Sequence, residues 1–452
     1  MQLVFPVTVM GLAHPTQAQG DRSRLMDNFI PIILVTILFT PFAWMLTRRF
    51  APIERDTILK IVFFALFVRM GVAFVFALFL PAGYFGEDAV MYMNAGMRLS
   101  AQWQDPSIQL AQYSFHNKSH MVYQYVCGGI YYVVGNITYA PAYFNALFGM
   151  ISLLLLANLL QSVFAYRIVR NFLLLTCFFP SIILFHTYPL KDTLVFLFVT
   201  ISLYNYMLYI QGRSAVYLGI ASVILLPLYF LRFYLVIMLI AIYMLVIFFF
   251  AGEFSAKKIV RSLVAGLIII VFSFFAGLGP KIVEVTEKEA NVAQLNQYQT
   301  SMKSGRAATF QGQEYQTGFD VIRYFPMRLV MFMFAPFPWQ ITSAASAMAF
   351  MEMPIWWLLI PWWIRGAKII FQQKHVRLLL PLLLYTFLVS ALFAIVESNI
   401  GAMFRKRAQV LPFFLMLVVM GRALEQAKRL GLSPDIILTP GLRRPFLVVE
   451  KT

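Results

Sequence analysis

Charge is what this sequence has least of. Only 12% of its 452 residues are Asp, Glu, Lys or Arg, against 61% that are hydrophobic. Soluble domains carry about 25% charged residues, so this fraction cannot cover so long a chain with a water-facing surface. Cysteine is equally scarce. Cys127 and Cys177 stand far apart in different settings, which excludes a disulfide framework and a thiolate metal cluster. Sustained apolar–polar alternation is missing too, and that excludes a membrane β-barrel. No P-loop, dinucleotide fingerprint, zincin motif or serine nucleophile elbow is found. Nor is there an internal repeat of the kind used by inverted-repeat transporters, a low-complexity tract or a soluble domain.

What the chain has instead is a series of continuous apolar runs, many of them near the ~20 residues a helix needs to cross a bilayer. Backbone groups in lipid find no outside partner, so such runs must be helical. The expected fold class is all-α: a polytopic transmembrane helical bundle of about 11–12 spans. The spans are read at 29–46, 61–80, 140–164, 171–188, 192–210, 215–231, 233–251, 262–279, 343–364, 378–397 and 408–421. Residues 1–28 form an N-terminal segment. Its short apolar run, LVFPVTVMGLA, reads as signal-like, as an extra span, or as sequence upstream of a start at Met26. Residues 29–421 form the membrane domain and 422–452 a cytoplasmic tail.

Basic residues orient the bundle. The net charge is +17, which in a soluble protein would suggest nucleic acid. Here the positive-inside rule accounts for it, and no nucleic-acid partner is expected. One alternating set of connections (TRRFAPIERDTILK, Arg167, Arg170, Arg213, AKKIVR, RGAKIIFQQKHVR and the tail) holds more than half of the 36 Lys and Arg residues. That side is read as cytoplasmic. The opposite side receives two long segments, 81–139 and 280–342, each with amphipathic juxtamembrane stretches. MVYQYVCGGIYYVVG reads as an interfacial helix. YFPMRLVMFMFAPFPWQI reads similarly, with its prolines breaking any continuous span. Trp356, Trp357, Trp362 and Trp363 read as interfacial anchors near Arg365.

Three polar clusters at the outer ends of spans are candidates for chemistry. In GYFGEDAVMYMNAGMRL, Glu87 and Asp88 leave the second span, with Tyr92 a turn later. Acids there suit a helix N-terminus and also suit a catalytic carboxylate. In FFPSIILFHTYPLKDTLVFLF, Lys191 and Asp192 separate two apolar runs, with His186 just upstream. Asp192 can cap the next helix, or share an outer-face site with Asp88. The third cluster is basic on the side that should be poor in basic residues: Arg405, Lys406 and Arg407, with Arg232, Arg323 and Arg328. Arginine's planar fork fits phosphate, so an anionic ligand is expected. His116 and His120 stand four apart, but no third metal ligand accompanies them.

The order of these elements resembles the membrane-embedded C-type glycosyltransferases, the group of protein O-mannosyltransferases and lipid A aminoarabinose transferases. Glu87-Asp88 after an early span, IYYVVGNITYAPAYFNALFGM, and FPSIILFHTYPLKD carry the likeness over residues 61–210. RYFPMRLVMFMFAPFPWQI and NIGAMFRKRAQVLP look like membrane proteins that accompany bacterial exopolysaccharide genes. The resemblance implies transfer of a sugar from a polyprenyl-phosphate donor to a lipid, glycan or protein acceptor. It would occur at the outer face of a bacterial inner membrane. Asp88 would engage the acceptor, with Glu87 beside it, and Asp192 would be the second acid. Lys191, Arg232 and Arg405–Arg407 would contact the donor phosphate. A divalent metal stays open as cofactor. Two other readings compete: an O-antigen-type polymerase or ligase, and a transporter or lipid flippase built around a buried charge such as Arg69.

Overall fold

The computed structural model describes residues 27–80, 84, 87–107, 118–249, 317–341, 344–372 and 376–432. Within them the chain forms fifteen α-helices and no strand. They are α1 (Phe29–Thr47), α2 (Pro52–Phe79), α3 (Glu87–Gln104), α4 (Lys118–Val134), α5 (Ala140–Gln161), α6 (Tyr166–Cys177), α7 (Pro180–Thr187), α8 (Asp192–Ile210), α9 (Val216–Val223), α10 (Leu225–Phe249), α11 (Gly318–Phe334), α12 (Ala344–Gln372), α13 (Leu380–Val396), α14 (Ile400–Arg407) and α15 (Leu411–Arg429). Proline opens five of them: Pro52, Pro141, Pro180, Pro381 and Pro412 stand at the first or second helical position. The missing N–H has no intrahelical partner to lose there.

Six of these helices (α1, α2, α5, α8, α10 and α12) are long and apolar enough to cross a membrane. The count rises to eight if each of two bent pairs, α6–α7 (62°) and α14–α15 (61°), forms one broken span. The larger number expected from sequence differs for identifiable reasons. Window 262–279 and the N-terminal run lie outside the described residues, and α13 is apolar but only 17 residues long. Windows 215–231 and 233–251 become α9 and α10. The expected boundary between them survives as a break in α10 at Arg232, where φ is −155° and ψ is 84°.

The bundle is organised around α5. Nearly all of its residues are buried, and it touches α1, α2, α4, α6, α7 and α8. Helices α1 and α12 show the reverse, exposing Ile33, Ile37, Met351 and Leu358. Large apolar side chains facing outward suit lipid rather than water. Helix α3 pairs with α4, and α4 rests on α5 and α10. Of the two helices of the first long segment, α4 thus packs directly on the bundle and α3 packs on α4.

One expectation needs correction. Trp356 is not an interfacial anchor: it is fully buried, its indole N–H donates to the Met333 carbonyl, and its ring packs 4.1 Å from that of Phe414. Trp363 stacks on the same Phe414 ring at 5.1 Å. A tryptophan run at helical spacing turns two indoles inward whatever its composition suggests. Trp362 alone of the four meets Arg365 at a shared partner, Glu425. In the second long segment, Pro326 sits inside α11 without ending it. The helix stops at Ala335, which is held extended before Pro336.

Helices α12 and α15 approach backbone to backbone. A Cβ added to Gly421 would overlap the Trp362 carbonyl, and one added to Gly366 would overlap that of Leu417. Small residues at such crossings are the usual device for close helix packing in membranes. Gly421→Ala is therefore expected to lower stability by about 1–3 kcal/mol. Gly71→Ala, in α2 with nothing within 4 Å, should be neutral or slightly stabilising. Thermal unfolding in detergent distinguishes the two, and equal midpoints would contradict this packing.

Candidate active site

The site is built on the turn between α7 and α8. Asn145 of the central helix donates to the carbonyls of Tyr188 (2.6 Å) and Leu190 (3.0 Å). The hydroxyl of Thr193 donates to the Phe185 carbonyl at 2.9 Å. With its backbone fastened at both ends, the turn holds Lys191 and Asp192 in place. Asp192 is the first residue of α8, yet it does not act as the expected cap. Lys191 occupies the N-cap position, with no side-chain cap hydrogen bond.

Instead the Asp192 carboxylate gathers three side chains from distant parts of the sequence. Its Oδ1 accepts from Arg232 Nη2 and from Gln409 Nε2, the latter at 2.5 Å. Its Oδ2 accepts from Arg405 Nε at 2.5 Å. Arg405 then reaches further, and its Nη1 donates to Asp88 Oδ2 at 3.0 Å. One guanidinium therefore bridges the two carboxylates singled out from sequence. Their surroundings differ: the Asp192 side chain is 4% exposed, that of Arg405 16% and that of Asp88 45%. Asp192 is the buried anchor, and Asp88 is the carboxylate a ligand can reach. The side chain of Glu87 lies outside the described residues.

Arg232 reaches this site because α10 breaks at it. Its Nη1 donates to the Tyr234 hydroxyl, while its buried Nε has no hydrogen-bond partner among the described residues. The break also interrupts the helical hydrogen-bond ladder. The Lys191 ammonium lies 3.4 Å from the Leu231 carbonyl just before it. Polar backbone at membrane depth needs such a partner.

On its other side Lys191 Nζ lies 3.3 Å from His120 Nδ1, and Tyr92 completes the group with its hydroxyl 2.7 Å from the same nitrogen. Tyr92 is fully buried, with Tyr123 edge-on at 5.0 Å. Burial, with the Lys191 ammonium adding to it, pushes His120 down to about 4. Burial and the neighbouring Arg232 push Lys191 down to about 7. The imidazole is therefore neutral near neutral pH, and the amine is poised between its two forms.

The other basic candidates separate from this group. Arg407 is buried and donates to the Ala335 carbonyl at the end of α11. Arg328 is buried and donates to the Ile395 carbonyl in the last turn of α13 at 3.2 Å. Both complete helix C-termini, where carbonyls lack intrahelical partners. Arg69 does the same for Cys177 at the α6–α7 bend, at 2.7 Å. Lys406 pairs with the buried Glu397. Arg323 is exposed, near its neighbour Tyr324. His186 packs against Phe196 and Gly149 rather than against Asp192.

His116 lies outside the described residues, and His120 faces Tyr92 and Lys191 instead of a metal-binding partner. Among the described residues, no group of three His, Cys, Asp or Glu side chains could hold a metal ion. Two contributors had not been singled out from sequence. Gln409 and Tyr234 are ordinary polar residues in apolar surroundings. Their only sequence signal is closeness to Arg405–Arg407 and to Arg232.

Removing the Asp192 charge leaves the buried Arg232 and the part-buried Arg405 without their shared acceptor. Asp192→Asn is expected to destabilise the fold by about 3–5 kcal/mol. Asp88→Asn removes a half-exposed ion pair and should cost about 1 kcal/mol or less. Paired thermal melts of the two variants provide the check, and similar losses would contradict the anchor role of Asp192. No family model matches the chain and no curated protein matches it, so the geometry of this cluster, rather than kinship, carries the functional reading.

Proposed function

We propose that this membrane protein is a glycosyltransferase that moves a sugar from a polyprenyl-phosphate donor to a hydroxyl-bearing lipid, glycan or protein acceptor. The site would face the periplasm or exterior of a bacterial inner membrane. The observation that carries the reading is the Asp88–Arg405–Asp192 bridge, with Arg232 and Lys191 alongside. Two guanidinium groups and the Lys191 amine meet two carboxylates at one end of a bundle built for lipid. Arginines already held in place by carboxylates need no reorganisation to receive a phosphate. A lipid-linked donor would bring its phosphate to this depth while its chain stays in the bilayer.

The chemistry divides between the two poles of the cluster. Arg405 and Arg232 would offset the negative charge that develops on the departing lipid phosphate. Arg405 retains partial exposure, and Arg232 Nε has no hydrogen-bond partner among the described residues. Asp88, at the exposed edge, would orient the acceptor hydroxyl. A single displacement inverts the anomeric carbon and requires no activated water, unlike hydrolysis between paired carboxylates.

A polymerase or ligase of the O-antigen type would use the same arginines, and Asp88 separates the two readings. In nanodiscs supplied with undecaprenyl-phosphate-linked hexoses and a panel of acceptors, Arg405→Gln is expected to lower kcat/KM by about 10²–10³-fold. Asp88→Asn should lower turnover by about 10²-fold or more. Full activity of Asp88→Asn with loss in Arg405→Gln would favour the ligase reading. Retention of activity in both would remove the cluster from catalysis.

A further inference from the structure

The bridge leaves the proposed reaction without a base. Asp192 is saturated by two arginines and a glutamine, and Asp88 is held by Arg405. Both carboxylates are thus already engaged by cations. Beside the bridge lie Tyr92, His120 and Lys191, from α3, α4 and the α7–α8 turn, with the Tyr92 hydroxyl and the Lys191 amine each within hydrogen-bond reach of His120 Nδ1. Their arrangement is directional. Tyr92 and Lys191 are buried, while His120 is only partly so. Both described contacts of the imidazole are made at Nδ1, which leaves Nε2 for an incoming group.

We infer that His120 and Lys191 form a proton relay for the acceptor hydroxyl, with Tyr92 as the residue that positions the imidazole. This rests on the glycosyl-transfer reading above. As the acceptor oxygen bonds to the anomeric carbon, its proton passes to His120 Nε2. The Nδ1 proton of the same ring moves to the neutral amine of Lys191, so the imidazole ends neutral. The bond between the anomeric carbon and the phosphate oxygen breaks, and its electron pair stays on the phosphate. A phosphodiester with one negative charge thereby becomes a monoester with two. The proton arriving on Lys191 adds one positive charge beside Arg232 and Arg405, so the charge of the whole site is conserved.

The surroundings suit this role. The groups that act on His120 and Lys191 are Asp88 of α3, Asp192 of α8, Arg232 of α10 and Arg405 of α14. Burial and the two arginines keep the amine available near neutral pH, where an ordinary lysine would be fully protonated. Lysines lowered in this way are common general bases, and relays of this kind act over hydrogen-bond distances.

The test is the pH dependence of single-turnover transfer in nanodiscs, using an undecaprenyl-phosphate-linked hexose that the unaltered protein accepts. The unaltered protein should show a rate that rises with pH and levels off above about 7. His120→Gln should lower the rate about 10²-fold, with little change in donor KM. Lys191→Arg keeps the positive charge but cannot accept a proton, and it should lose both the rate and the rising limb. It also serves where His120→Gln fails to fold. Full rates and an unchanged limb in both variants, with Asp88→Asn inactive, would overturn the relay while keeping the transferase reading. If the unaltered protein transfers nothing from any polyprenyl-phosphate sugar, both fall together.

Discussion

One buried carboxylate holds this end of the molecule together. Asp192 stands at the start of α8, nearly without solvent, and accepts from Arg232, Arg405 and Gln409. Placing one charge in a low-dielectric bundle costs several kcal/mol, and only good geometry with further hydrogen bonds offsets it. That requirement is the constraint on everything around it. It demands the break in α10 that brings in Arg232, and the bend between α14 and α15 that brings in Arg405 and Gln409. Through Arg405 it also ties Asp88, and hence α3, to the bundle. A network satisfied in this way specifies one arrangement of helices more sharply than apolar packing can.

The same physics explains why so many arginines are buried in an apolar protein. Each helix that stops or bends inside the bundle exposes carbonyls that lipid cannot satisfy. Arg69 serves the end of α6, Arg407 the end of α11 and Arg328 the last turn of α13. At the head of α7 the reverse need is met by Glu352 of α12, which accepts from the Ser181 backbone N–H and hydroxyl at 2.7 and 3.0 Å. Positive ends of side chains go to helix C-termini and negative ones to N-termini, as the helix dipole favours. Apart from the Lys406–Glu397 pair, the candidate charges left over after these duties, Arg232, Arg405, Lys191, Asp88 and Asp192, converge on one place.

This division was only partly legible beforehand. Asp88, Asp192, Lys191, Arg232 and Arg405 stood out because a charge beside an apolar run is expensive and demands a reason. Arg328 and Arg407 stood out for the same reason, and sequence offers no means to tell a helix cap from a ligand contact. The distinction depends on which carbonyl lies nearby, and that carbonyl belongs to another helix. His120 was visible only as half of an unconvincing metal pair. Its partners Tyr92 and Lys191 lie 28 and 71 residues away.

By itself the sequence determined that this is a helical membrane protein, because continuous apolar runs with few charges admit no other backbone solution. It also placed an interruption at Arg232, a charged residue within an apolar stretch. Only the tertiary structure decided which charges meet. A run such as Phe404–Arg407 turns its side chains about 100° apart per residue, so Arg405, Lys406 and Arg407 go to Asp192, Glu397 and the Ala335 carbonyl respectively. Adjacent letters thus acquire separate roles, because the neighbours that select among them stand at the start of α8 and at the ends of α13 and α11.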